Sequence, residues 1–282
     1  MMTNKMSGDS AMNIIKLNQE NASQYGFGCM LKGNFYLRHP QPFRKLVLPK
    51  LKNHLNQDVF GFIAEDQNRP VGHIILGKVN TLGLPVRIEP DMPVILCTYI
   101  SRGYHRKGIG RSLIEAAKNA FSGEAGLLVM STRTKMYMPF QRFEKMGFQR
   151  VADYDLWRVG YLPIKQERIR VEFFDPVLEW DYIRPFTLIR GGFCPFLFHL
   201  WENQLKAVSV FRQYTPVEEI ILEEARKRDP QVVPGFYVFG KIFPARPMFR
   251  WQIRRLIRKA IRDEEKKTFG AAAPTGYEKR KE

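Results

Sequence analysis

The sequence predicts an α/β protein in two parts: a larger α/β unit, then a smaller one. Three observations carry that expectation. The first is size, since 282 residues make one large or two ordinary domains and 44% of them are hydrophobic, enough for a real core. The second is the alternation of short β-branched or aromatic apolar runs with segments of helical spacing. The third is a change of texture between residues 165 and 182, where charged and apolar residues alternate, as in "KQERIRVEFF". On this reading residues 1–11 are a flexible lead-in and 12–165 the first unit. Residues 166–182 are a linker, 183–267 the second unit, and 268–282 a disordered Gly/Ala/Pro/Lys-rich tail.

The elements follow in order. "MNIIKL", from Met12, is a first strand. "QPFRKLVLPKLKNHL" (41–55) is interrupted by Pro49 and reads as short helices or a lid. "VFGFIAEDQNRPVGHIILGKV" is a hairpin whose polar turn runs from Glu65 to Arg69. "MPVILCTYI" (92–100) is dense enough to be a central strand buried on both faces. Ile109, Leu113, Ile114, Ala117 and Phe121 then recur at helical spacing, and Gly123 and Gly126 end that helix. "LLVMST" (127–132) is a strand, and "PFQRFEKMGF" a short helix opened by Pro139 and stopped by Gly147. "QRVADYDLWRVGYLP" gives a last strand or two.

In the second unit "FTLIRGG" (186–192) is a strand. Phe196, Leu197, Leu200, Trp201, Leu205 and Val208 share one helical stripe. "VVPGFYVFGKIF" is a hairpin turning at Gly240-Lys241. In the last helix Ile253, Leu256, Ile257, Ala260 and Ile261 face inward, while Arg254, Arg255, Arg258, Lys259 and Arg262 face out.

Charge and cysteine usage bound the function. The net charge of +17 favours anionic partners. The excess is partly local: residues 101–150 hold ten Lys/Arg against three Asp/Glu, and 151–200 hold six against seven. Cys29, Cys97 and Cys194 have unrelated spacings, which argues against a disulfide framework or a zinc cluster and fits a reducing cytoplasm. The N-terminus lacks the apolar run of a secretory signal, and no stretch approaches 18 consecutive apolar residues.

The local excess centres on "RGYHRKGIGRSLIEAA" (102–117), which places four cations and three glycines in ten residues between a strand and a helix. That order outlines an anion site. The amides of a helix's first turn and its dipole point at the ligand, Gly108 and Gly110 allow close backbone approach, and His105, Arg106, Lys107 and Arg111 supply charge. The spacing is neither that of a P-loop nor that of the dinucleotide GxGxxG, since position 113 is Leu. A tight basic strand-to-helix turn is the alternative.

The run "ILCTYISRGYHRKGIGRSLI" resembles the acetyl-CoA motif of the GNAT superfamily of N-acyltransferases, with Gly108 and Gly110 on its glycine positions. "MPFQRFEKMGFQRVADY" looks like that family's second motif, ending in Gly147-Phe148. The resemblance spans about 12–160 and implies a mixed β-sheet with flanking helices for the first unit. It implies that His105, Arg106, Lys107, Gly108, Ile109, Gly110, Arg111 and Ser112 hold the coenzyme A pyrophosphate. It also implies that the backbone of Thr98 and Ile100 holds the pantetheine and acyl carbonyl, with acetyl-CoA as cosubstrate and an amine attacking directly. The chain departs from the pattern at three places: His105 replaces Gln or Arg, Met136 replaces Asn, and Phe143 replaces a Tyr that protonates the thiolate. Tyr137 is then either the acid or a packing aromatic. Glu65, Asp66, Glu89, Asp91, His73 and Cys97 are open as bases.

Residues 183–265 look like the YoaP-like, thioredoxin-like domain that follows some GNAT domains. "GGFCPF" after a strand puts Cys194 at a helix start, where a thiol acidifies, and the resemblance makes Pro234 a candidate cis proline ahead of a strand. There is no CxxC. Cys194 is left to a mixed disulfide, a thiol or selenium ligand, a metal shared with His199, or plain packing. The leading expectation is acetyl transfer to a small-molecule or protein amine, with the second unit recognising the substrate. The alternatives are a non-catalytic acyl-CoA-binding protein and a nucleic-acid-binding protein.

Overall fold

A computed structural model describes residues 12–25, 40–79, 85–133, 138–154, 157–166, 168–175, 178, 185–191, 195–211, 217–243 and 249–269. The chain divides into two compact units. One holds the residues up to Phe174 with Gly192–Phe198, and the other Asp175–Gly191 with His199 onward.

The first unit is built on a seven-stranded sheet. Its strands are β1 (Asn13–Lys16), β2 (Val59–Asp66), β3 (Arg69–Gly77), β5 (Val94–Ile100), β6 (Gly126–Thr132), β7 (Gln149–Tyr154) and β8 (Trp157–Pro163). They lie in the order β1-β2-β3-β5-β6-β8-β7, and only β5 and β6 run parallel. The predicted mixed sheet with flanking helices is therefore present. The β2–β3 turn is the two-residue Gln67-Asn68, with φ of 49° and 60°, the geometry whose twist matches paired strands. The helices of this unit are α1 (Ala22–Tyr25), α2 (Pro40–His54), α3 (Ile109–Ala120) and α4 (Phe140–Glu144).

Helix α3 forms as its spacing predicts. Ile109, Leu113, Ile114 and Ala117 are buried, and they join Ile74, Leu76, Ile95, Leu127, Val129, Phe140, Phe143 and Phe148 in one core. Helix α2, in contrast, is continuous where Pro49 was expected to break it. Pro49 itself is exposed, while Val47 and Leu51 on either side are fully buried. Tertiary burial there outweighs the lost helical hydrogen bond.

The expected linker also changes. Arg170–Phe173 is a strand, β9, antiparallel to β4 (Val86–Glu89), with Tyr154 stacked on Phe173 at 4.9 Å. The alternation read there as a junction is the period-2 pattern of a half-solvated strand.

The second unit contains a four-stranded sheet, β10 (Phe186–Arg190), β11 (Glu218–Ile221), β12 (Gly235–Val238) and β13 (Lys241–Ile242), in the order β11-β10-β12-β13. β10 and β11 are parallel, and β12 is antiparallel to both β10 and β13. Helix α5 (Pro195–Val208), which belongs to this unit from His199 onward, comes between the parallel pair in sequence, α6 (Leu222–Arg228) follows β11, and α7 (Arg250–Phe269) closes the unit. The hairpin turns at Phe239-Gly240, one residue earlier than predicted, because both residues take positive φ, 48° and 74°. Among the described residues the cis peptide bond is Glu89–Pro90, so the Val233–Pro234 bond is trans, against expectation. None of the described helices is long and apolar enough to cross a membrane.

Candidate active site

The site begins with a parting of strands. β5 pairs with β6 only at Val94↔Leu128 and Ile95↔Val129, although β5 continues to Ile100 and β6 to Thr132. The parting coincides with a bulge. Cys97 faces Ile75 and Ile95 faces Leu76, which leaves Leu96 as the extra residue on β5. A bulge bends its strand and tightens the local twist. It thereby turns the second half of β5 away from β6.

The register shows which groups the parting exposes. The Ser101 amide donates to the Val71 carbonyl at 2.8 Å, so Ser101, Tyr99 and Cys97 direct their backbone groups at β3. Thr98 and Ile100 then direct theirs toward the side that β6 has left. Both are half-buried. One of these groups already has a partner: Nε2 of His105 lies 2.9 Å from the Ile100 carbonyl oxygen.

Beyond Ile100 the chain makes a single 3₁₀ turn, Arg102–Tyr104, and then the loop that leads α3. Arg106 and Gly108 both adopt left-handed conformations, with φ of 66° and 77°. Gly108 caps α3, and its carbonyl accepts from the amides of Arg111 at 2.9 Å and Ser112 at 3.1 Å. The His105 amide reaches the Arg102 carbonyl at 3.4 Å. Among the described residues no acceptor meets the amides of Arg106, Lys107, Gly108, Ile109 or Gly110. Five consecutive unbonded amides at a helix N-terminus are a row of donors of the kind that an anion can engage, referred to below as the amide cradle. A Cβ placed on Gly108 would meet nothing within 4 Å, whereas one on Gly110 would press Ile100 Cδ1 at 3.3 Å. His105, Arg106, Lys107, Arg111 and Ser112 are exposed around the cradle, and Ile109 sends its side chain into the core.

The loop is tied to the sheet by contacts that sequence reading missed. The Tyr104 hydroxyl donates to Asp66 Oδ2 at 2.7 Å, which holds the phenol pKa above its ordinary value. Lys107 Nζ sits 4.8 Å from the centre of the Tyr104 ring. Asp66 stands next to the β2–β3 turn, 38 residues away, and no local pattern announces that pairing.

The candidate bases have structural partners. Glu65 is buried and accepts from the Tyr25 hydroxyl. His73 is fully buried, with Nε2 3.3 Å from Cys97 Sγ. Asp91 lies 3.5 Å from Lys78, and Glu89 3.9 Å from Arg170. Phe143 is 2% exposed and packs edge-on against Phe148, so it is a core residue. Met136, Tyr137 and Cys194 lie outside the described residues.

Residues 29–148 match the family model described as Acetyltransferase (GNAT) family. That match covers about two fifths of the chain and makes this segment similar to GNAT acetyltransferases. Several solved structures are similar. A GNAT-family acetyltransferase from Staphylococcus aureus Mu50 shares 18% identity over 55% of this chain and 100% of its own, with a TM-score of 0.39. The PaiA N-acetyltransferase from Thermoplasma acidophilum, solved with coenzyme A, shares 15% identity over 54% of this chain and 99% of its own, with a TM-score of 0.37. NAA60 from Arabidopsis thaliana, solved with a bisubstrate analogue, shares 16% identity over 58% and 98%, also with a TM-score of 0.37. No curated protein matches the chain.

Proposed function

We propose that the GNAT domain transfers an acetyl group from acetyl-CoA to an amine. The observation that carries this reading is the juxtaposition of two features along one strand: β5 parts from β6 after Ile95, and five unbonded amides follow at the start of α3. Backbone amides from Arg106 to Gly110 hold the pyrophosphate, with Lys107 and Arg111 as counter-charges. The backbone groups of Thr98 and Ile100 line the path of the pantetheine. Acetyl-CoA bound there supplies the acetyl group as a thioester, whose C–S bond breaks as the C–N bond forms. The chain has to take one proton from the amine, place a hydrogen-bond donor at the carbonyl oxygen, and let the thiolate gain a proton. The outward amides of Thr98 and Ile100 suit the second task. Tyr137 is the proposed acid, since Phe143 carries no proton.

For the second unit we propose a thioredoxin-like, YoaP-like domain that recognises or positions the amine. The path β10-α5-β11-α6-β12-β13-α7, with β10 central and parallel to β11, supports it. Cys194 immediately precedes α5 in sequence, the place where a helix N-terminus favours thiolate. We place the protein in the cytoplasm, in keeping with its three unpatterned cysteines.

Calorimetric titration of acetyl-CoA into wild type and a Gly108→Glu, Gly110→Glu double variant tests the cradle. Saturable binding that the variant loses is expected, followed by amine-dependent thiol release. Binding without release from any amine would favour a non-catalytic acyl-CoA-binding protein, the reading that buried Phe143 supports.

A further inference from the structure

Helix α7 keeps its apolar side inward: Ile253, Ile257 and Ile261 are buried. Its outer side is unusual. Between Phe249 and Arg262 the chain carries five arginines and one lysine and no acid, and Asp263, Glu264 and Glu265 then end the run. Arg255, Arg258, Lys259 and Arg262 are exposed and have no acidic partner among the described residues. At the N-terminal end two large rings stand in solvent, Phe249 72% and Trp251 61% exposed. Trp251, Arg255, Arg258 and Arg262 succeed one another at i, i+4, i+7 and i+11, one helical face about 16 Å long.

We propose that this face binds single-stranded nucleic acid, with the arginines on successive phosphates and Trp251 and Phe249 stacking on bases. A linear row of cations fits a linear polyanion. Arginine rather than lysine suits phosphate, because its planar fork donates in pairs. Exposed rings beside such a row provide the platform that unpaired bases use. A duplex hides its base faces and has no use for the rings. A membrane fits less well, because an interfacial helix lays its apolar stripe in lipid and the stripe of α7 is already buried in protein. The inference is independent of the transferase reading.

The test is fluorescence anisotropy of the full chain with a labelled oligo-uridine 20-mer and an oligo-thymidine counterpart. If Arg255, Arg258, Lys259 and Arg262 each neutralise a phosphate, affinity falls about fifty-fold between 50 and 200 mM salt. Replacing Arg255, Arg258 and Arg262 by Gln lowers the slope of log affinity on log salt by about 2, and replacing them by Lys leaves it intact. Phe249→Ala with Trp251→Ala weakens binding roughly tenfold or more at unchanged slope, and Trp251→Phe retains it. Circular dichroism confirms that each variant is folded. Four results would overturn the proposal. They are no binding by wild type, binding indifferent to these substitutions, binding abolished by saturating acetyl-CoA, and tighter binding to phosphatidylserine vesicles than to either oligonucleotide.

Discussion

Gly108 offers a way to separate the backbone demands of the loop from its use as a binding surface. It caps α3 at φ 77°, a conformation that costs a residue bearing a Cβ about 1–2 kcal/mol. A Cβ built there touches nothing within 4 Å, so steric clash adds nothing to that cost. Gly108→Ala should therefore lower thermal stability by about 1–2 kcal/mol, or roughly 2–4 °C per kcal/mol in a domain of this size. Gly108→Asn should cost much less, because Asn tolerates the left-handed region. If the amides of residues 106–110 hold the pyrophosphate, both side chains crowd that surface. Both variants should then weaken acetyl-CoA at least tenfold, equivalent to about 1.4 kcal/mol. Gly110→Ala is the internal control for stability. A better helix former gains up to about 1 kcal/mol, and the contact with Ile100 Cδ1 at 3.3 Å offsets part of it. Differential scanning fluorimetry and calorimetric titration give the two readouts. A stable Gly108→Asn protein that binds acetyl-CoA like wild type would refute the cradle.

Two further outcomes follow from side chains around the site. Tyr104→Phe removes the hydroxyl that ties the loop to Asp66, so the acetyl-CoA dissociation constant should rise several-fold with little change in melting temperature, as calorimetry and fluorimetry will show. Asp153 is 15% exposed and accepts from Arg158 at 2.8 and 3.0 Å, with Arg150 at 2.8 Å. Arg158 holds its folded pKa below the ordinary carboxylate value, so its stabilisation is full above the unfolded pKa of about 3.9. That stabilisation is lost as pH falls through the lower, folded value. Asp153→Asn should cost about 1–3 kcal/mol at pH 7 and less at pH 3, below the unfolded pKa, measured by urea unfolding across that range. An equal loss at both pH values would show that the carboxylate charge is not what matters.

Much of this was legible in the sequence because it rests on local rules. The stripe from Ile109 to Ala117, the glycines of the loop and the Gly147 stop each follow from one residue's geometry or one helix's periodicity. The misreadings share a cause. Pro49 weakens a helix locally, but the full burial of Val47 and Leu51 is a tertiary effect that local spacing does not report. The alternation at 170–173 suits linker and strand alike, and only its partner, Val86–Glu89, distinguishes them. Tyr104 to Asp66 and Tyr25 to Glu65 join residues about forty positions apart, which no spacing rule connects.

The parting of β5 from β6 lies between these cases. The sequence marks 92–100 as one apolar strand and says nothing of Leu96. Yet Leu96 is the residue at which the count against β3 slips, and Ile95 is the last residue to pair with β6. The same slip sets the parity that turns the backbone of Thr98 and Ile100 away from β3. Had the ladder run without it, Thr98 and Ile100 would face β3, and Cys97, Tyr99 and Ser101 would face outward instead. One extra residue thus opens the gap, chooses the groups that line it, and delivers the chain at Ser101 in position to turn into the amide cradle. The left-handed turn at Gly108 shapes that row of amides locally, but its place beside an open strand edge is set by the bulge.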